Sequence, residues 1–266
     1  MISEFIHYLG TRAASPGARR LGYAGETAAL ETRHRRCRKA WQAHLASTRA
    51  ALLSAAERAG PNRACALIGG GGSVHDLPVA ELLDRFDRLV LLDICFGPGA
   101  RRLSRRWPQR VHCCPHDVTG IVDWLAKHRR LPPAELLSHL ALPQLDTPPD
   151  WVASVNCLTQ LPVLPIAYLA SRVTDENLLE AFGRELVQTH LRWLQAWQVP
   201  ICLITEVEDR HFDRHDALTG RMDYRSLLHG FQTDAACIGQ WPWQIHPPGE
   251  LAGGRHEIRI IEAWCT

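Results

Sequence analysis

Ile68-Gly69-Gly70-Gly71-Gly72-Ser73 is the stretch that decides how this chain folds. It follows an apolar run, Ala64 to Ile68 (ACALI), that reads as a strand, and it precedes a helical stretch from Leu77 to Phe86. Glycines at such a junction let the backbone turn sharply and approach a ligand closely, and a helix beginning near Asp76 would offer free N–H groups. Asp93 lies 24 residues after Gly69, in the next apolar run, Leu89 to Ile94 (LVLLDI). A carboxylate at the end of the second strand accepts both hydroxyls of a ribose, which points to an adenosine-bearing ligand. Asp117 lies another 24 residues on, in His116-Asp117-Val118, where it either accepts from an adenine amino group or caps the following helix.

The same alternation continues outward. Val111 to Cys114, Trp151 to Leu158 and Ile201 to Val207 (ICLITEV) read as further strands, with helices over Gly99 to Trp107, Ile121 to His128 and Asn177 to Trp197 between them. Continuous apolar runs without period-two alternation suit strands covered on both faces. Trp241 to His246 and His256 to Trp264 (HEIRIIEAW) are joined by PPGELAGGR, too short for a crossover helix, so this pair is antiparallel. The expected fold is α/β: a doubly wound, mostly parallel seven-stranded sheet with an antiparallel C-terminal hairpin.

A helical N-terminal segment precedes that sheet. Between Arg19 and Ala59, the residues Trp41, Leu45, Thr48, Leu52 and Ala56 recur at helical spacing, and Gly60-Pro61 ends the helix. The chain therefore divides near residue 60 into a segment 1–60 that covers or docks substrate and a domain 61–266. Ser15-Pro16-Gly17 reads as loop or a short helix.

With 266 residues, 46% hydrophobic, 22% charged and a net charge of +2, the composition is that of a globular chain, not a disordered or fibrous one. No run approaches the roughly 20 apolar residues of a membrane span, and the opening MISEFIHYLG lacks the basic-then-apolar order of a secretory signal, so the expected location is cytoplasmic. The nine cysteines are an odd number without a CxxC pair, which argues against a disulfide framework.

Together the glycine loop, Asp93, Asp117 and the closing hairpin resemble the class I S-adenosylmethionine-dependent methyltransferases over roughly residues 62–266. The resemblance implies S-adenosyl-L-methionine as cofactor, held by Gly69, Gly70, Gly71, Asp93 with the following Ile94, Asp117 with the following Val118, and Asn156 at the place of the family's fourth motif. Many members carry an acidic residue two positions before the first glycine. This chain has Leu67 there, and Asp76 either substitutes from the far side of the loop or caps a helix. A nicotinamide-binding domain would want GxGxxG, which neither glycine register meets: Val74 follows the Gly69-x-Gly71 register and His75 the Gly70-x-Gly72 register. An oxidoreductase is the less favoured alternative.

Methyl transfer from a sulfonium needs mainly in-line placement, with a base where the nucleophile must lose a proton. The charged run after strand five, Glu206 to Asp216, reads as a loop and supplies Glu206, Glu208 and His211 as candidates; Glu206 and His211 are assigned the catalytic role. A small-molecule O or N acceptor is favoured because no separate basic recognition domain is visible. RNA or protein methylation, with Arg33, Arg35, Arg36, Arg38 and Lys39 as a docking face, and a non-catalytic cofactor-binding partner are the alternatives. That arginine run is expected to lie outside the cofactor site. Trp193, Trp197, Trp241 and Trp243 either line an aromatic acceptor pocket or pack in the core. His112-Cys113-Cys114-Pro115-His116-Asp117 lacks structural-zinc spacing, the loop Asp209 to Asp216 either holds a divalent ion for a catechol-like substrate or is a solvated charged loop, and no residue is assigned to a metal.

Overall fold

A computed structural model describes residues 11–232 and 234–266. The opening MISEFIHYLG lies outside the described residues. Ser15 caps helix α1 (Pro16–Leu21), its hydroxyl accepting the Ala18 N–H at 3.1 Å. Gly22, at φ 98°, ends α1 and begins α2 (Tyr23–Arg36), and Cys37 separates α2 from α3 (Arg38–Arg58). The single helix expected over Arg19 to Ala59 is thus broken twice, first where glycine adopts a left-handed conformation.

Apart from a short antiparallel pair of Arg12–Ala13 with Cys95–Phe96, the main sheet and its surrounding helices comprise β1 (Cys65–Gly69), α4 (Val79–Leu83), β2 (Arg88–Asp93), α5 (Pro98–Arg106), β3 (Val111–Pro115), α6 (Val122–His128), α7 (Ala134–Ser138), β4 (Trp151–Val155), α8 (Val163–Leu169), α9 (Glu176–Gln195), β5 (Ile201–Phe212), β6 (Leu218–Asp223), α10 (His229–Gln232), β7 (Ala236–His246) and β8 (His256–Cys265). The main sheet has the order β3-β2-β1-β4-β5-β8-β7. Its first five strands are parallel, while β8 runs antiparallel to both β5 and β7. The doubly wound sheet with an antiparallel closing pair is therefore present.

Three local expectations are corrected. The helix after the glycines does not start near Asp76: Pro78 precedes a single five-residue helix, α4. β5 does not stop at Val207 but runs to Phe212, and β6 pairs back on it over Glu208 to Phe212. The charged stretch read as a loop is thus largely a hairpin, and the main sheet has eight strands among the described residues. The final correction concerns β4, which ends at Val155 and gives way to a short 3-10 turn at Leu158–Gln160.

Successive residues of β1 enter opposite cores, as pleating requires. Ala66 and Ile68 join Trp41, Leu52 and Ala56 of α3, whereas Cys65 and Leu67 join Val187, Leu191 and Trp193 of α9. The N-terminal helix α3 and the sheet thus share one apolar core. All nine cysteines are free thiols, and no described helix is long and apolar enough to cross a membrane.

Candidate functional site

Strand order reverses between β1 and β4, and a cavity of about 300 Å³ lies outside the carboxyl ends of the parallel strands there. Gly69, Gly70, Asp76, Asp93, Ile94, Asp117, Val118 and Asn156 all line it. Gly71 does not line it; its N–H donates to the carbonyl of Leu92 at 3.2 Å, pinning the loop to β2.

Asp93 holds the glycine loop in place. Its Oδ2 accepts the Gly72 N–H at 2.8 Å and its Oδ1 the Cys95 N–H at 3.1 Å. Each oxygen retains a second lone pair for a ligand. Burial pushes this carboxyl up to about 6, against the pull of the backbone donors at Cys95, Gly72 and Ile94. Gly70 sits at φ 80°, and a Cβ there would stand 2.3 Å from the carbonyl oxygen of Val155. The backbone cradle therefore depends on glycine.

Asp76 does not cap a helix. Its Oδ2 accepts from Asn156 Nδ2 at 2.9 Å, joining the far side of the glycine loop to the end of β4. Asn156 itself sits at φ 50°, and its Oδ1 is buried without a hydrogen-bond partner among the described residues. At the loop after β3, Asp117 lines the cavity and is tied to the backbone: Oδ1 accepts from the Thr119 N–H and hydroxyl, and Oδ2 from the Val122 N–H at 2.9 Å. Tyr23 of α2 lies against the same end of the cavity, its phenol pushed up by burial and by the charges of Asp117 and Asp93.

Glu206 is buried at the base of the hairpin side. Its Oε1 accepts from Gln160 Nε2 at 2.5 Å and Arg259 Nη1 at 2.8 Å, and both of those partners line the cavity. Arg259 also faces Glu257 at 3.3 Å and Asp209 at 3.5 Å. His211 lies elsewhere, against Gly220 of β6, and is not part of the cavity wall. Glu208 is likewise turned away, bound by Arg210, Arg221 and Arg225.

The N-terminal helices contribute residues that the sequence did not single out: Tyr23, Glu26, Thr27 and Leu30 of α2, and His44 of α3. Arg33 also lines the cavity, so the arginine run is not wholly outside it; Arg35, Arg38 and Lys39 are exposed, and Arg36 pairs with Glu250. Of the four tryptophans weighed for an acceptor pocket, Trp243 lines the cavity together with Trp41, while Trp193 belongs to the α9 core. Among the described residues, no three His, Cys, Asp or Glu side chains form a metal-holding group.

The strand order and the antiparallel β8 decide the architecture. The fold is that of the class I methyltransferases. No protein-family model matches the chain, and no curated protein does. Among solved structures, the chain is similar to a Burkholderia thailandensis 1,6-didemethyltoxoflavin-N1-methyltransferase with bound 1,6-didemethyltoxoflavin and S-adenosylhomocysteine, at 15% identity over 90% of this chain and 88% of that one, with a TM-score of 0.39. It is similar also to coclaurine N-methyltransferase, at 11% identity over 81% and 70% with a TM-score of 0.38. The 23S rRNA methyltransferase ErmE gives 11% over 81% and 67%, with a TM-score of 0.36. Likeness at these TM-scores carries no argument: the fold is read from the strand order and the functional reading from the side chains.

Proposed function

We propose that the chain is an S-adenosyl-L-methionine-dependent methyltransferase whose cofactor occupies the cavity at the strand-order reversal. The observation that carries this reading is the pair of carboxylates flanking the glycine loop, Asp93 on β2 and Asp76 beyond the loop. Asp93 would accept the ribose hydroxyls on the lone pairs left by its two backbone donors, and Asp76 would face the cofactor's cationic amino group, which Leu67 cannot do. Asn156 supplies a buried acceptor with no partner among the described residues, suited to the same polar end. Asp117, already holding α6, has one lone pair of Oδ2 left for the adenine amino group. When bound, the cofactor supplies an activated methyl group on a sulfonium.

A nicotinamide dinucleotide fits the same residues poorly. Its pyrophosphate wants a helix N-terminus directly after the glycines, whereas here nine residues separate Gly69 from Val79, and Asp76 stands in between. A carboxylate at that position would repel phosphate.

The favoured acceptor is a small molecule approaching between α2, α3 and the closing hairpin, whose side chains cover the cavity. Glu206 acts as a positioning residue, holding Gln160 and Arg259 at the cavity wall, and catalysis rests on placement. Thermal unfolding with ligands tests the reading: S-adenosylhomocysteine should raise the midpoint and NADH should not. Protection by NADH alone would overturn it.

A further inference from the structure

Resting on the reading above, we infer that the acceptor is a carboxylate-bearing molecule whose single negative charge is held by Arg33 at the hairpin side of the cavity. One face of α2 runs along that cavity: Tyr23, Glu26, Leu30 and Arg33 all line it, at helical spacing. Tyr23 lies beside Asp117 and Asp93, the carboxylates assigned to adenine and ribose. Arg33 follows ten residues later, about 15 Å further along the helix axis. The basic groups beside Asp76, where the cofactor's amino group is read, are His75 and Arg49. The carboxylate nearest in charge to Arg33 is instead Glu250, in the connection between β7 and β8. Arg33 therefore stands where the acceptor enters, away from the amino-acid end of the cofactor.

Glu250 is already taken. Arg36 donates to it from Nη2 at 2.5 Å and from Nε at 3.2 Å, and Arg33 adds only a weaker pull from farther off. Arg33 itself is half-buried and makes no hydrogen bond or ion pair among the described residues. Arg259, the other arginine on the cavity wall, is ringed by Glu206, Asp209 and Glu257. Of the two, Arg33 alone is left without a paired carboxylate among the described residues. A partly desolvated guanidinium gains from a charge-assisted bond, and its planar fork matches the two oxygens of a carboxylate. One guanidinium balances one negative charge, and Glu26, two turns away on the same face, disfavours a dianion such as phosphate. The half-buried Leu30, Leu45 and Leu161 line the same cavity and would cover the apolar body of such an acceptor. Beyond the mouth, the exposed Arg35, Arg38 and Lys39 draw anions toward it.

The test is calorimetric titration of the full chain with 4-phenylbutyrate and with its neutral amide, 4-phenylbutanamide, with and without saturating S-adenosylhomocysteine. The expected result is binding of the carboxylate about tenfold tighter than the amide. Arg33→Gln should lose about tenfold in 4-phenylbutyrate affinity, bringing it level with the amide, while S-adenosylhomocysteine binds within about twofold of wild type. Arg38→Gln, which removes an exposed charge off the cavity wall, should keep 4-phenylbutyrate affinity within about twofold. Circular dichroism confirms that each variant is folded, and Arg33→Lys, which keeps the charge but loses the fork and should cost about threefold, serves where Arg33→Gln is not. Equal binding of acid and amide, unchanged affinity in the folded Arg33 variants, or an equal loss in Arg38→Gln would overturn the carboxylate site. A loss of S-adenosylhomocysteine affinity in Arg33→Gln with 4-phenylbutyrate unaffected would overturn it too, giving the guanidinium to the cofactor's own carboxylate. Failure of S-adenosylhomocysteine to bind the wild type would overturn the methyltransferase reading instead, leaving the carboxylate site to be judged on 4-phenylbutyrate alone.

Discussion

The carboxylate of Asp93 accepts the backbone N–H of Gly72 at 2.8 Å, so the residue assigned to the ribose also fixes the loop that forms the cavity floor. One side chain couples ligand affinity to loop geometry, and its ionisation governs both.

Because burial raises Asp93 to about 6 in the ligand-free protein, its charged form is complete only above that pH. Hydroxyl donors of a ribose favour the carboxylate, so S-adenosylhomocysteine affinity should be flat above pH 7 and fall as pH drops through 6, by up to about tenfold per unit. Affinity measured between pH 7.5 and 5 checks this. A flat profile would place the ribose elsewhere.

Alanine at Gly70 should be poorly tolerated. The φ of 80° and a Cβ 2.3 Å from the Val155 carbonyl oxygen, a backbone atom that has little room to yield, together cost about 3 kcal/mol or more. Alanine at Gly72 meets the Cys95 carbonyl oxygen at 2.3 Å and should also destabilise. Urea unfolding of both variants measures the loss.

Removing Arg259 leaves Glu206, Asp209 and Glu257 facing one another with their shared cation gone. Arg259→Leu should lower stability by about 3 kcal/mol at pH 7, and lose less near pH 4.5, where carboxylates take up protons. A loss independent of pH would mean that packing, not charge, is what Arg259 supplies.

Two buried histidines set the acid limit. Burial pushes His44 down to about 3 and His190 down to about 4, while the unfolded chain protonates near 6.5. Their contribution is complete above pH 6.5 and is lost as pH falls toward 4. Asp93 acts oppositely, because its raised folded value gains stability as pH falls from 6 to about 4. Replacing one histidine isolates its share: His190→Gln, which does not titrate, should lose less stability between pH 6.5 and 4 than the wild type, as unfolding midpoints across that window measure.

Much of this architecture is legible in the chain. The glycine loop, Asp93 and Asp117 are local signals, each fixed to the end of an apolar run, and their relative positions follow from parallel strand order alone. The hairpin of β5 and β6 is hidden because its charges satisfy one another across strands: Glu208 against Arg210, Arg221 and Arg225 gives a sequence that looks solvated. His44 and Trp41 are hidden for another reason. Helical spacing shows which face of α3 is covered, but not whether core or cavity covers it; Leu52 on that stripe meets the sheet, whereas Trp41 meets both. Arg259 sits within an apolar strand, and only the antiparallel register brings it opposite Asp209 and near Glu206. The early end of β4 and the short α4 follow from turns at Asn156 and Pro78, which apolar content alone does not locate.

The most direct test of the central claim is calorimetric titration of the wild-type chain and of Asp93→Ala with S-adenosylhomocysteine at pH 7.5. The account predicts one tight site in the wild type and a loss of about 2 kcal/mol, roughly 30-fold, in the variant. No binding to the wild type, or equal binding to both proteins, would contradict it.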